Sequence, residues 1–127
     1  MELELLEIDA AADNLFKKLD IVNELIKATE NKLEKIGFEY EIYTNQINGS
    51  GSWIYIGWVY NPDQRKNRLC IINKSPTGRN EGSRPFLECK LDERLKYIEF
   101  IPMFLAEFRK FIIDKTHAVD NAIFGMD

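Results

Sequence analysis

Few residues in this 127-residue chain have the types and spacing that support catalysis. It has one histidine, His117, and two cysteines, Cys70 and Cys89. Those three side chains cannot make a zinc site of four Cys/His ligands. A nucleophilic triad would have to use His117, which has no nucleophile motif beside it and reads as a surface or capping histidine. Cys70 and Cys89 are embedded in apolar sequence, whereas a reactive thiol needs a positive, partly exposed setting. Both therefore read as buried and reduced. Glu88, Asp92 and Glu93 lie close together, but a strand end followed by a helix cap explains them without acid–base chemistry. The sequence supports no catalytic residue, metal ligand or cofactor, and so a non-enzymatic protein.

Binding chemistry is better represented. The glycine-rich run 48–52 lacks the Gly-Lys-Ser/Thr of a phosphate loop and precedes a strand, so it reads as a hairpin tip. The run 73–84 combines two glycines, hydroxyl side chains and the cations Lys74, Arg79 and Arg84, which makes it a candidate anion site. It lies in a basic segment, 65–90. Arg65, Lys66, Arg68 and Lys90 extend its set of phosphate contacts, and Tyr43, Tyr55, Trp58 and Tyr60 offer stacking surfaces. Against nucleic acid stand a net charge of −4, a pI of about 5.1 and the lack of a reader motif. Charge is nevertheless uneven. Residues 1–46 carry eleven acidic and five basic side chains, and residues 61–90 carry three acidic and seven basic.

The aromatic run 53–60 is the other candidate surface. Trp53, Tyr55 and Val59 alternate with Ile54, Ile56, Trp58 and Tyr60, so both faces of one strand are apolar. Gly57 among them suggests that a large neighbour crosses the strand there. Surplus apolar surface of this kind suggests a partner. We place the partner-binding face on Ile54, Ile56, Trp58 and Tyr60, with Trp53 on the side covered by helices. The first functional reading is a protein-binding module of accessory, inhibitor or immunity type. The alternative is a binder of an anionic ligand or nucleic acid.

These residues need elements to position them. Hydrophobic residues make up 45% and charged residues 30%, an ordinary globular composition, read as one α+β domain over 1–127. Leu5, Ala12, Leu19, Ile26 and Leu33 interleave with Met1, Ile8, Leu15, Val22, Thr29 and Ile36 at spacings of three and four. That is a heptad seam, and it predicts a long N-terminal helix closed by Gly37. Phe16, Ile21 and Leu25 widen its stripe. A break near Asp9 would let the first turns fold back. An unbroken helix would expose Leu3, Leu5, Leu6 and Ile8. A four-stranded antiparallel meander follows, with strands over 38–43, 53–60, 69–72 and 84–90. A C-terminal helix capped by Asp92 comes last, kinked or split at Pro102. Its inner face is expected to be Leu91, Leu95, Ile98, Leu105, Phe108 and Ile112, and Val119, Ile123 and Phe124 should dock its end.

The heptad seam and the two-faced strand together suggest a homodimer. No stretch approaches the roughly 20 apolar residues of a membrane span. The start, Met1-Glu2-Leu3-Glu4, is acidic where a signal peptide is basic, which reads as a cytoplasmic protein. Small size and the usage of Lys, Ile and Asn suit a bacterial source.

Overall fold

The computed structural model describes residues 2–38, 40–44, 47–48 and 53–126. Residues 49–52 of the hairpin tip expected over 48–52 lie outside the described residues, as does Met1 of the heptad seam. The chain forms two compact units, Met1–Gly37 and Phe38–Asp127.

The first unit is one helix, α1 (Glu2–Ile36). Its 35 residues span about 52 Å at 1.5 Å per residue. Neither proline nor glycine interrupts it, and it continues through Asp9, so the expected fold-back of the first turns does not occur. Gly37 ends it in the left-handed region at φ +71°. The Gly37 N–H donates to the carbonyls of Leu33 (3.2 Å) and Glu34 (3.0 Å), closing the helix as a C-terminal glycine does. The buried residues of α1 are Ile26, Thr29, Glu30 and Leu33, and no described residue before Ile26 is buried.

The second unit is an antiparallel sheet followed by helices. Its strands are β1 (Ile42–Tyr43), β2 (Ile47–Asn48), β3 (Trp53–Asn61), β4 (Lys66–Lys74) and β5 (Asn80–Pro85). The order is β1-β3-β4-β5, with β2 also on β3. Of the strand predicted over 38–43 only Ile42–Tyr43 is strand, and Ile47–Asn48, in the stretch expected to be a connection, adds a second short piece on the same edge of β3. Thr44 bridges them, donating its N–H to the Ile56 carbonyl (2.8 Å) and accepting the Ile56 N–H on its hydroxyl (3.0 Å).

Two strand predictions are corrected. The run 73–83, which separates the strands expected over 69–72 and 84–90, is mostly ladder: β4 reaches Lys74 and β5 starts at Asn80. Only Ser75 to Arg79 turn. Gly78 stands at φ +83°, its N–H bonded to the Ser75 carbonyl (2.8 Å), and the Ser75 N–H donates to the Arg79 carbonyl (2.8 Å). Proline at the first turn position and glycine at the left-handed one make a short hairpin connection. The strand expected over 84–90 ends instead at Pro85, which cannot donate to the ladder, and Phe86–Glu88 form a single 3₁₀ turn.

The helices that follow are α2 (Leu91–Tyr97), a 3₁₀ turn over Ile98–Phe100, and α3 (Ile101–Gly125). Lys90, not Asp92, occupies the N-cap of α2. Pro102 lies in the first turn of α3, where its missing N–H has no intrahelical acceptor in any case. Helix type changes before it. A 3₁₀ turn has three residues per turn, which shifts the phase of the stripe. Ile101, Phe104 and Phe108 are buried, while the expected Leu95 and Leu105 are exposed. Val119, Ile123 and Phe124, expected to dock, are also exposed.

The covered face of the sheet is the one carrying Ile54, Ile56 and Trp58. The Trp58 indole N–H donates to the Phe38 carbonyl (3.0 Å). The Phe38 ring packs on Phe108 and Phe111 of α3, with centroids 5.9 and 5.8 Å away. Tyr40 adds a further ring on Phe111 (5.5 Å), and the Lys115 ammonium lies over both Tyr40 and Phe111. Among the described residues, no helix is long and apolar enough to cross a membrane.

Candidate functional site

Antiparallel register decides which side chains share a face. Tyr55 is opposite Ile72, Gly57 opposite Cys70 and Val59 opposite Arg68. Tyr43 on β1 is opposite Gly57, and Ser83 on β5 is opposite Ile72. These residues stand on the face away from α3. Val59, Cys70 and Ile72 form a buried cluster there, with Tyr55 packed against it.

Gly57 makes that cluster possible. A Cβ at this position would come within 2.8 Å of Ile72 Cδ1, 3.1 Å of Tyr43 Cδ1 and 3.2 Å of the Ile42 carbonyl oxygen. Tyr43 and Ile72 therefore close over the bare backbone of Gly57, which is the crossing that a glycine inside a strand suggests.

A cleft of about 420 Å³ opens beside this cluster, lined by Tyr43, Val59, Cys70, Ile72 and Ser83 from the sheet, by Glu41 before β1, and by Tyr60, Asn61, Pro62 and Asp63 at the end of β3 and the following turn. The Asn61 side-chain oxygen accepts the N–H groups of Asp63 (2.9 Å) and Gln64 (3.2 Å), a local bond that builds the turn. Arg65 completes it at φ 54°. Gln64 in turn accepts a bond from the Arg68 guanidinium.

The walls are electrostatically defined. The Tyr43 hydroxyl donates to a Glu41 carboxylate oxygen (3.0 Å). Burial, that bond and the Glu41 charge push the phenol up to about 12, so it remains a neutral donor. The Lys74 ammonium lies over two rings, 5.1 Å from the Tyr43 centroid and 5.3 Å from that of Tyr55. A cation over two ring faces holds them in place. The result is an aliphatic floor, aromatic walls and two carboxylates, Glu41 and Asp63, at the rim. Such a lining can accommodate an apolar or aromatic side chain with adjacent positive charge.

The predicted site residues fare differently from one another. Ile54 is 6% exposed, Ile56 0% and Trp58 2%, whereas Tyr60 is 53% exposed and lines the cleft. Ile54, Ile56 and Trp58 are therefore core on the α3 side and offer a partner nothing to touch. The other side of the same strand carries Tyr55 and Trp53, both partly buried; Trp53, expected on the helix-covered side, lies with Tyr55 and Val59 on the face away from α3. Lys74, Arg79 and Arg84 do not converge. Lys74 turns to the tyrosines, Arg79 is exposed at the hairpin tip, and Arg84 reaches Glu93 of α2 at 3.6 Å. Arg84 is opposite Ile71 in the ladder, so it projects from the other face of the sheet than Lys74.

Cys70 and Cys89 are buried free thiols. The Cys89 thiol donates to the Pro85 carbonyl (3.3 Å), and burial, reinforced by Glu93, pushes it up to about 11. Among the described residues, no group of three or more His, Cys, Asp or Glu side chains is placed to hold a metal ion.

Residue type alone did not single out Glu41, Val59, Ile72 or Ser83 for this site. The available signal was Gly57 together with the odd-numbered alternation of Tyr55 and Val59. No protein-family model matches the chain, and no characterised protein or solved structure is significantly similar to it.

Proposed function

We propose that this chain is a protein-binding module, acting without chemistry of its own, which takes an apolar or aromatic side chain of a partner protein into the cleft beside Tyr43. The observation that carries this reading is the cleft itself: an aliphatic floor of Val59 and Ile72, with Tyr60 on its wall beside Tyr43, which is held by Lys74 and Glu41. Tyrosines contribute large contact area with few rotors to freeze, which makes them effective anchors at interfaces. Glu41 and Asp63 at the rim favour a partner segment carrying lysine or arginine beside its apolar residue. Binding of this kind suits an accessory, inhibitor or immunity-type protein of the cytoplasm, where Cys70 and Cys89 stay reduced.

Site-specific photo-crosslinking in the source cell tests the reading. A photoreactive residue replacing Ser83, exposed at the cleft, should capture one discrete protein partner. The same residue replacing Pro76 at the hairpin tip should not. Capture from Pro76 with none from Ser83 would move the interaction to the basic hairpin.

A further inference from the structure

We infer that the first three heptads of α1 pair with the same segment of a second copy, as an antiparallel two-helix coiled coil. The inference is independent of the cleft. It starts from an imbalance within α1. All four of its buried residues lie from Ile26 onward, and the 24 described positions before that contain none. Leu3, Leu5, Leu6, Ile8, Leu15 and Phe16 are each about half or more exposed. An isolated helix is marginal in water, and its stability normally comes from packing an amphipathic face. A stretch this apolar needs a covering surface.

The pattern identifies that surface. Leu5, Ala12 and Leu19 occupy one core row of the heptad, and Ile8, Leu15 and Val22 the other. Such a seam fits another helix bearing the same repeat. In the antiparallel register that uses all six, Leu5 of one copy meets Val22 of the other, Ile8 meets Leu19, and Ala12 meets Leu15. Each layer occurs twice about the two-fold axis, so the contact closes as a dimer.

Charge selects the direction. Parallel pairing sets Glu4 of each copy against Asp9 of the other, two like-charged contacts flanking the seam. In the antiparallel register the flanking neighbours are Glu4 with Leu25, Lys18 with Ala11, Asp9 with Phe16 and Glu2 with Asn23. No like charges meet, and Phe16 and Leu25, which lie outside a strict seam, gain cover. The opposed helix dipoles add to the preference. The same charges argue against a lipid surface, because residues 2–13 carry five carboxylates and no cation, and an interfacial helix needs a basic polar face.

Light scattering of the full chain at tens of micromolar should give twice 14.9 kDa, and Ile8→Asp with Leu15→Asp should give the single mass. A monomeric native chain overturns the proposal, as does a dimer that survives both substitutions. A second measurement uses milder changes. The L5C and V22C chains, oxidised separately, should stay uncrosslinked on a non-reducing gel, while an equimolar mixture should form a covalent dimer. Crosslinking of L5C alone would establish parallel pairing and overturn the antiparallel assignment.

Discussion

On one side of β3, Ile56 and Trp58 are closed off beneath α3; on the other, Tyr55 is half-buried and Tyr43, its neighbour across Gly57, is 37% exposed. Both sides are aliphatic and aromatic, so composition does not separate them. Two features do. The Trp58 indole finds its acceptor at Phe38, whose ring is fixed to α3 through Phe108 and Phe111. The second face instead has a glycine at its centre, which lets two large side chains meet above the backbone and leaves a hollow beside them. One apolar face becomes core where a helix stripe meets it; on the other, Tyr43 and Ile72 close over Gly57 and also line the cleft beside it.

Emptying the α3 side should have the largest effect. Phe104→Ala and Trp58→Ala remove side chains that are 0% and 2% exposed, and each should destabilise the fold by about 3–5 kcal/mol in urea titrations followed by circular dichroism. A Trp58→Ala chain that kept its stability would return that residue to the list of binding candidates. A smaller effect should follow from filling the other side. Gly57→Val would crowd Ile72, Tyr43 and the Ile42 carbonyl and should cost about 1–3 kcal/mol, while also displacing Tyr43 and Ile72 from the cleft lining.

A third prediction concerns pH. The Cys89 thiol is raised from 9.0 to about 11 by burial. The folded state therefore holds its proton more tightly than the unfolded chain does. Its contribution is complete below pH 9 and is lost as pH rises from about 9 to about 11. The Cys89→Ala chain should show a flatter stability profile over that window, measured by denaturant titration at each pH. An unchanged slope would mean that the thiol titrates alike in both states. The smallest effect should come from Lys74→Met, which removes the ammonium above Tyr43 and Tyr55 at a cost of about 0.5–1 kcal/mol.

Much of the fold is legible in the residues. The heptad spacing and Gly37 mark α1 and its cap, though not its unbroken course through Asp9, and the alternation over 53–60 marks β3. Two misreadings had local causes. Pro85 and the Pro76-Thr77-Gly78 turn set the bounds of β5, but polarity in 73–83 masked a ladder that is exposed on its own edge. The 3₁₀ turn over Ile98–Phe100 shifted the helix phase, and no proline or glycine stands within that turn to announce it. For the site, the two-faced β3 was evident but the choice of face was not. That choice depends on Phe104 and Phe108, more than 40 positions later in the chain. The divergence of Lys74 and Arg84 to opposite faces follows from ladder register, which becomes apparent only once β5 is placed.

The claim that the cleft face and not the basic hairpin carries the interaction is tested most directly by affinity. With the captured partner in a calorimeter, Tyr43→Ala should weaken binding by about 2 kcal/mol or more, whereas Arg79→Ala at the exposed hairpin tip should cost less than about 1 kcal/mol. The reverse ranking, in chains whose circular dichroism matches the native protein, would contradict the account and assign the binding to the hairpin cations.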